Sequence, residues 1–331
     1  MPPRRLSASG LLLALFCPLL LALSACGRPR PPGDPQAEAD RGGGPLIGFA
    51  QVNHLNPWRI AETNAITGEA EKRGYRLLVT DAKSSTQQQV RDVSYLLARG
   101  VEYVILAPKE FAALRPAILA ARDAGIPLIL VDRMADGVPG REFLTFIGSD
   151  FTREGERIAE WLAGRMRGAA RIVELRGEKG SSPEIDRAVG FRRALQAHPG
   201  MLIVASSYAN FERLEGQKAM EEIILSLGRS FDAVYAHNDE MAIGAIQALK
   251  AAGIRPGQDV ILASIDGGKD ALKAIIAGEL GASVECTPRF ADKIFQVIEA
   301  HRRGEPIPAK IINEDRLFDI RNAGELIRSV F

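Results

Sequence analysis

Two α/β lobes, each built on a doubly wound parallel sheet, are what this chain predicts, and three observations carry the prediction. From Leu46 onward, short aliphatic or β-branched runs alternate with longer amphipathic ones. The amphipathic runs close on glycine just before the next apolar run, as in the phrases KRG, ARG and DAG that end at Gly74, Gly100 and Gly125; glycine there is a helix stop signal. The short runs show no polar alternation, so both faces are buried, as in a parallel sheet covered by helices. A length of 331 residues accommodates two such domains, and 25% charged with 46% hydrophobic residues is a globular composition.

The elements follow in order. LIGFAQV (46–52) reads as a strand and 58–74 as a helix; YRLLVTD is a strand, then a helix near 85–99. VEYVILAP is a third strand, a helix runs near 110–124, and IPLILVD (126–132) is a fourth strand. Three βαβ units in a row give the first lobe. FLTFIGS (143–149) crosses to a helix at 152–167. The second lobe then alternates strands RIVEL, MLIVAS, DAVYAH, DVILASID and ASVEC with helices near 184–197, 212–227, 240–252 and 269–277, and a helix near 289–303 follows. Trp161 and Phe191 fall on helical faces and read as core, and His54, His198 and His301 as solvated.

The first 45 residues are different in kind. Arg4 and Arg5 precede an apolar stretch, Leu11–Ala25, interrupted by Pro18. It is shorter than the roughly 20 residues that span a bilayer, and reads as a secretory signal over residues 1–25. Leu23-Ser24-Ala25-Cys26 resembles a bacterial lipobox, which implies cleavage before Cys26 and its lipidation. Residues 27–45 hold five Gly and five Pro and no large apolar side chain, so they form a tether reaching about 60 Å when extended. Residues 26–45 are therefore a lipidated cysteine and its tether, and the expected location is a membrane-anchored lipoprotein, periplasmic or at the cell surface.

Charge narrows function. The 42 basic and 41 acidic side chains give a net charge of +1, without the basic excess of a nucleic-acid binder. Removal of residues 1–25 discards Arg4 and Arg5 and leaves 40 basic against 41 acidic side chains. Cys17 is lost with the signal, and Cys286 remains the only free thiol, so no intramolecular disulfide is expected.

Ligands of open parallel sheets bind at the carboxyl ends of the strands. Those ends carry Asn56, Trp58 and Arg59; Asp132 and Arg133; Asp186 and Arg187; Phe211; Asn238 and Asp239; Asp266; and Glu285. Planar carboxylate, amide and guanidinium groups each bridge neighbouring sugar hydroxyls with paired hydrogen bonds. Trp58 and Phe211 supply flat faces for a sugar's C–H surface. No nucleophile–base pair and no metal cluster appears, so the inventory is one of binding rather than catalysis. Other roles compete. Asn56-Pro57 also reads as a helix cap with proline at the first helical position, Asp239 reads as a cap before a contact, and Asp132-Arg133 could be a surface pair. Arg187 sits in a first helical turn, where its charge opposes the dipole, which favours a ligand role.

At these residues the chain resembles the periplasmic sugar-binding proteins of ABC transporters, the ribose/galactose-binding class with the type I fold. The likeness runs from about Leu46 to about Asn322 and is densest in AETNAITGEAEKRG, VDR, VELRGEKGSSPEIDRAVGF, VYAHNDEMAIGAIQALKAAG and ASIDG. Trp58-Arg59, Ile185-Asp186-Arg187 and the ASVE-x-TP segment at 282–288 make it most similar to the galactofuranose-binding subgroup. The resemblance implies two lobes joined by a hinge: 46–148 with 287–313, and 150–284 with 315–331. It implies ligand contacts from Asn56, Trp58, Arg59, Asp132, Arg133, Arg187, Phe211, Asn238, Asp266 and Glu285. His54, Pro57 and Cys286 depart from the family pattern. MADGVPGRE lacks the alternating oxygens of a calcium loop, so neither metal nor cofactor is expected. The expected function is capture of a monosaccharide by a monomeric, lipid-anchored protein that delivers it to an ABC permease, without enzymatic turnover. The alternative is presentation of the sugar to a sensor kinase or chemoreceptor.

Overall fold

The computed structural model describes residues 44–331. The signal segment, Cys26 and the tether as far as residue 43 lie outside the described residues.

The chain opens with β1 (Leu46–Gln51), α1 (Pro57–Lys72), β2 (Arg76–Asp81), α2 (Thr86–Ala98), β3 (Tyr103–Leu106), α3 (Arg115–Asp123), β4 (Leu128–Val131) and β5 (Thr145–Gly148). It continues through α4 (Phe151–Arg165), β6 (Ala169–Arg176), α5 (Ser182–Leu195), β7 (Gly200–Tyr208), α6 (Arg213–Leu227), β8 (Ala233–Ala236) and α7 (Asp239–Ala251). Next come β9 (Ile261–Asp266), α8 (Lys269–Ile276), β10 (Ala282–Glu285), α9 (Ala291–Arg302), β11 (Lys310–Ile312), β12 (Leu317–Asp319) and α10 (Ala323–Leu326).

The strands form two six-stranded sheets, ordered β11-β5-β4-β3-β1-β2 and β12-β10-β9-β8-β6-β7. Every pairing is parallel except that of β12 with β10, which is antiparallel. The chain crosses between the sheets three times: at 149–150, at 286–290 and at 313–316. Strands β1, β3, β4 and β5 are buried along their whole length, because helices cover both faces. Their side chains alternate: Ile47, Phe49, Ile105, Ile129, Val131 and Ile147 join one core with α9 and α4 residues, while Ala50, Val104, Leu106, Leu128 and Leu130 pack against α2 and α3 in another. The first core continues through Trp58, Cys286 and Phe290 into Ile172, Tyr235 and Ile265 of the second sheet.

Four details differ from the sequence expectation. The helix expected near 110–124 begins only at Arg115, because Phe111 instead donates its backbone N–H to the Gly180 carbonyl at 3.0 Å. Strands β11 and β12 are three residues each at sheet edges, too short for a periodicity to announce them. His301 and His54 are half-buried and partnered, by Tyr103 Oη at 2.8 Å and Asp81 Oδ2 at 3.2 Å. Phe191 is fully buried, whereas Trp161 is only partly covered.

A candidate ligand-binding site between the lobes

A cavity lies where the strand ends of the two sheets meet. Its lining includes Asn56, Trp58, Arg59, Asp132 and Arg133 from the first lobe, and Arg187, Phe211, Asn238 and Asp266 from the second, with Pro183 and Cys286. Nine of the ten residues expected from the sequence are brought together here.

Glu285 is the exception. As the last residue of β10 it turns toward the crossing at 313–316, where both its oxygens accept from Arg316, from Nε and Nη2 at 2.7 Å each. Alternation along the strand then puts the next residue, Cys286, on the cavity side. The Cys286 thiol is buried there, and burial pushes it well above its usual range.

On the first lobe, α1 begins at the cavity. Asn56 caps it, Oδ1 accepting the Arg59 N–H at 3.0 Å, so cap and cavity wall are one residue. Trp58 donates Nε1–H to the Cys286 carbonyl at 2.7 Å and carries the Arg59 guanidinium 4.8 Å from its ring centroid. Arg59 in turn donates to Glu62 Oε2 at 2.8 Å and Asp132 Oδ2 at 2.5 Å. Burial opposes the Arg59 charge, but Asp132 and Glu62 outweigh it and hold the guanidinium above its ordinary range. Asp132 Oδ1 has no hydrogen-bond partner among the described residues. Arg133 donates to the Lys109 carbonyl at 3.0 Å and Glu178 Oε2 at 2.8 Å, and lies 5.4 Å from the Phe211 ring centroid. Burial and the neighbouring Arg59 press it below its usual range, with Glu178 and Asp132 opposing.

On the second lobe, Arg187 donates Nε–H to Glu154 Oε2 and Nη1–H to the His237 carbonyl, both at 2.7 Å. Its Nη2 lies 3.7 Å from Asp266 Oδ1. Asp266 is 7% exposed, and no hydrogen bond reaches its carboxylate among the described residues. Burial pushes that carboxyl well above its ordinary value despite Arg187. Asn238 caps α7, accepting from Met241 N at 3.0 Å, and donates Nδ2–H to the Phe211 carbonyl at 3.1 Å. Asp239, expected as a cap, is not one: it is buried behind the cavity and accepts from Ser264 Oγ at 2.5 Å, Gly268 N at 2.7 Å and Ser283 Oγ at 2.7 Å. The Phe211 ring leans on Gly177, where an added Cβ would stand 1.9 Å from it, so only glycine leaves the ring this close.

The lobes also touch at the cavity rim. Glu178, in the β6–α5 loop, accepts from Arg133 and takes the Lys109 ammonium at 2.6 Å. Phe111 N donates to the Gly180 carbonyl at 3.0 Å and Met134 N to Ser182 Oγ at 2.8 Å. Sequence reasoning missed Lys109, Glu178 and Ser182. Lys109 follows the 101–108 strand, so the strand-end rule would have found it; Glu178 carried no signal beyond its Gly/Ser-rich loop.

Guanidinium, carboxylate and amide groups lining a cavity are suited to paired hydrogen bonds with a polar ligand. Among the described residues no cluster of His, Cys, Asp and Glu could hold a metal ion.

Residues 47–305 match the periplasmic binding protein domain family. The galactofuranose-binding protein YtfQ of Escherichia coli (strain K12) is 39% identical over 268 residues, 80% of this chain and 84% of that protein. The ribose import binding protein RbsB of Bacillus subtilis (strain 168) is 31% identical over 248 residues, 75% of this chain and 78% of that protein. A crystal structure of a galactofuranose binding protein superimposes with a TM-score of 0.84 at 36% identity, covering 86% of this chain and 98% of that one. The chain belongs to the periplasmic binding protein family, in the type I fold class that holds the ribose- and galactofuranose-binding proteins.

Proposed function

We propose that this protein is an exported, lipid-anchored binding protein that encloses one monosaccharide, galactofuranose-like in shape, between its lobes and hands it to an ABC permease. The observation that carries the reading is the pair of Arg–Asp sets facing one cavity, Arg59–Asp132 and Arg187–Asp266, with oxygens of both aspartates lacking protein partners. Trp58 and Phe211 cover the sugar's C–H faces, and Asn56, Asn238 and Arg133 complete the hydroxyl contacts. The likeness to galactofuranose-binding proteins supports a five-membered ring.

The protein works as a monomer and by binding rather than turnover. Segments 46–148 with 287–313 and 150–284 with 315–331 move as two bodies about the three crossings, and ligand favours the closed state because both bodies contribute bonds. The permease reads that closure, and Cys26 supplies the lipid anchor.

Isothermal calorimetry of the purified full-length chain against D-galactose, L-arabinose, D-ribose and D-glucose is the test. Heat with galactose or arabinose, whose solutions contain furanose forms, is the expected result; no heat with any pentose or hexose overturns the sugar assignment. Sugar-dependent stimulation of a reconstituted permease's ATPase would support delivery. Stimulation of a sensor kinase instead would overturn the transport role while leaving the binding role intact.

A further inference from the structure

Behind the cavity, each lobe holds the same three-residue device. In the first, Arg59 of α1 is gripped by Glu62, one turn further along α1, and presented beside Asp132 at the end of β4. In the second, Arg187 of α5 is gripped by Glu154, in the first turn of α4, and presented beside Asp266 at the end of β9. The correspondence extends to detail. Each glutamate holds its arginine through Oε2, at 2.8 and 2.7 Å; Glu62 Oε2 also accepts from Gln51 Nε2 at 2.9 Å, and the Glu154 carboxyl lies beside the Cys286 thiol. Each aspartate has a positive φ, 58° and 127°, a conformation disfavoured for a residue with a side chain and maintained here while the carboxylate lines the cavity. Neither glutamate lines the cavity, and they are 0% and 2% exposed.

Resting on the sugar-binding reading, we propose that Glu62 and Glu154 are positioning residues that aim Arg59 and Arg187, so that each lobe carries a preassembled guanidinium–carboxylate pair before ligand arrives. A long arginine side chain left to itself must be ordered by the ligand, at the expense of affinity; a buried carboxylate one hydrogen bond behind it removes that loss. The competing role, simple neutralisation of a buried charge, needs only a negative charge nearby and is indifferent to reach.

Reach and charge separate in two substitutions. Gln keeps the length and the single accepting oxygen, and its amide takes the place of Oε1. Asp keeps the charge but withdraws the oxygen by one methylene. Calorimetric titration with D-galactose, L-arabinose and D-ribose, beside unliganded melting curves, is to be run on the full-length protein, wild type and the variants E62Q, E62D, E154Q and E154D. Positioning predicts that the Gln variants stay within about threefold of wild-type Kd, and that each Asp variant weakens binding by about tenfold or more. The lobes share neither glutamate's partner, so E62D/E154D is expected to multiply to about a hundredfold. Asp variants that bind like wild type, or Gln variants that lose as much as Asp, overturn the proposal. If one Asp variant fails to fold, its counterpart in the other lobe decides. Failure of the wild type to bind any of the sugars is a different result: it removes the sugar reading, and the positioning role with it.

Discussion

Asp266 carries the clearest conflict between stability and binding at the scale of a residue. Its carboxylate is buried, unmatched by any hydrogen bond among the described residues, and 3.7 Å from Arg187. A buried polar group without a partner is destabilising until something supplies one. Asp266→Asn is therefore expected to weaken sugar binding at least about tenfold, yet raise the unliganded melting temperature by about 2 °C; calorimetry and thermal melts read both. His237 behaves oppositely with respect to pH. It is fully buried, donates to Glu174 Oε1 at 3.3 Å, and burial brings its imidazole down to about 4. Between pH 6.5 and 4 the unfolded chain takes up a proton that the folded one refuses. The stability this confers is complete above pH 6.5 and lost as pH falls through that window, by about 3 kcal/mol. Urea unfolding from pH 7 to 4 is expected to show that slope in the wild type and a flatter one in His237→Gln. Burial alone would raise Glu174, but His237, Arg192 and Ser206 bring it down to about 2, which adds a second loss between pH 4.5 and 2. The strand-end rule found Asp266 from sequence because position decides it, and it misplaced Glu285 because one residue of strand parity decides that.

Helices α4 and α5 bring Glu154 to Arg187 by packing backbone on backbone. An added Cβ at Gly155 would stand 2.2 Å from the Arg187 carbonyl oxygen, and one at Gly190 1.9 Å from that of Thr152. Glycine inside a helix is unfavourable by ~1 kcal/mol against alanine, so two of them, each set against the other helix's backbone, mark an approach that side chains would prevent. Gly190→Ala is expected to destabilise the fold by about 1–3 kcal/mol and, by pushing α5 outward, to weaken sugar binding as well; denaturant titration and calorimetry report the two effects. Both glycines stand inside helical runs of the sequence, but the sequence reading drew nothing from them, because what they face is set by helix packing, which periodicity does not give. The parallel strands and helix stops were legible because burial on two faces and the left-handed glycine at the helix end leave local marks. Strands β11 and β12 left none, since their only definition is the sheet edge they join.

Across the molecule, the cavity is closed by few bonds, and they gather on the β6–α5 loop and the first residue of α5. Glu178 binds Lys109 and Arg133 of the other lobe, while Gly180 and Ser182 accept from Phe111 and Met134. Burial works against the Glu178 charge, but Arg133 and Lys109 hold its carboxyl below the usual range. Glu178→Gln is expected to speed ligand release by roughly tenfold with a smaller change in association rate, measured by stopped-flow Trp58 fluorescence. These contacts join residues far apart in the chain, which is why sequence reading placed the walls of the cavity and not its clasp.

The three crossings have a consequence for how the chain comes to be folded. Strand β5 ends at Gly148, but its neighbour β11 begins only at Lys310. The first sheet thus has a bare, hydrogen-bond-hungry edge until nearly the whole chain has been made and translocated. Neither lobe can be completed ahead of the other, so the two mature together and late, as a single high-contact-order event. A polypeptide that must cross a membrane before it folds is well served by an architecture in which a strand about twenty residues from the C-terminus is needed to finish the first half.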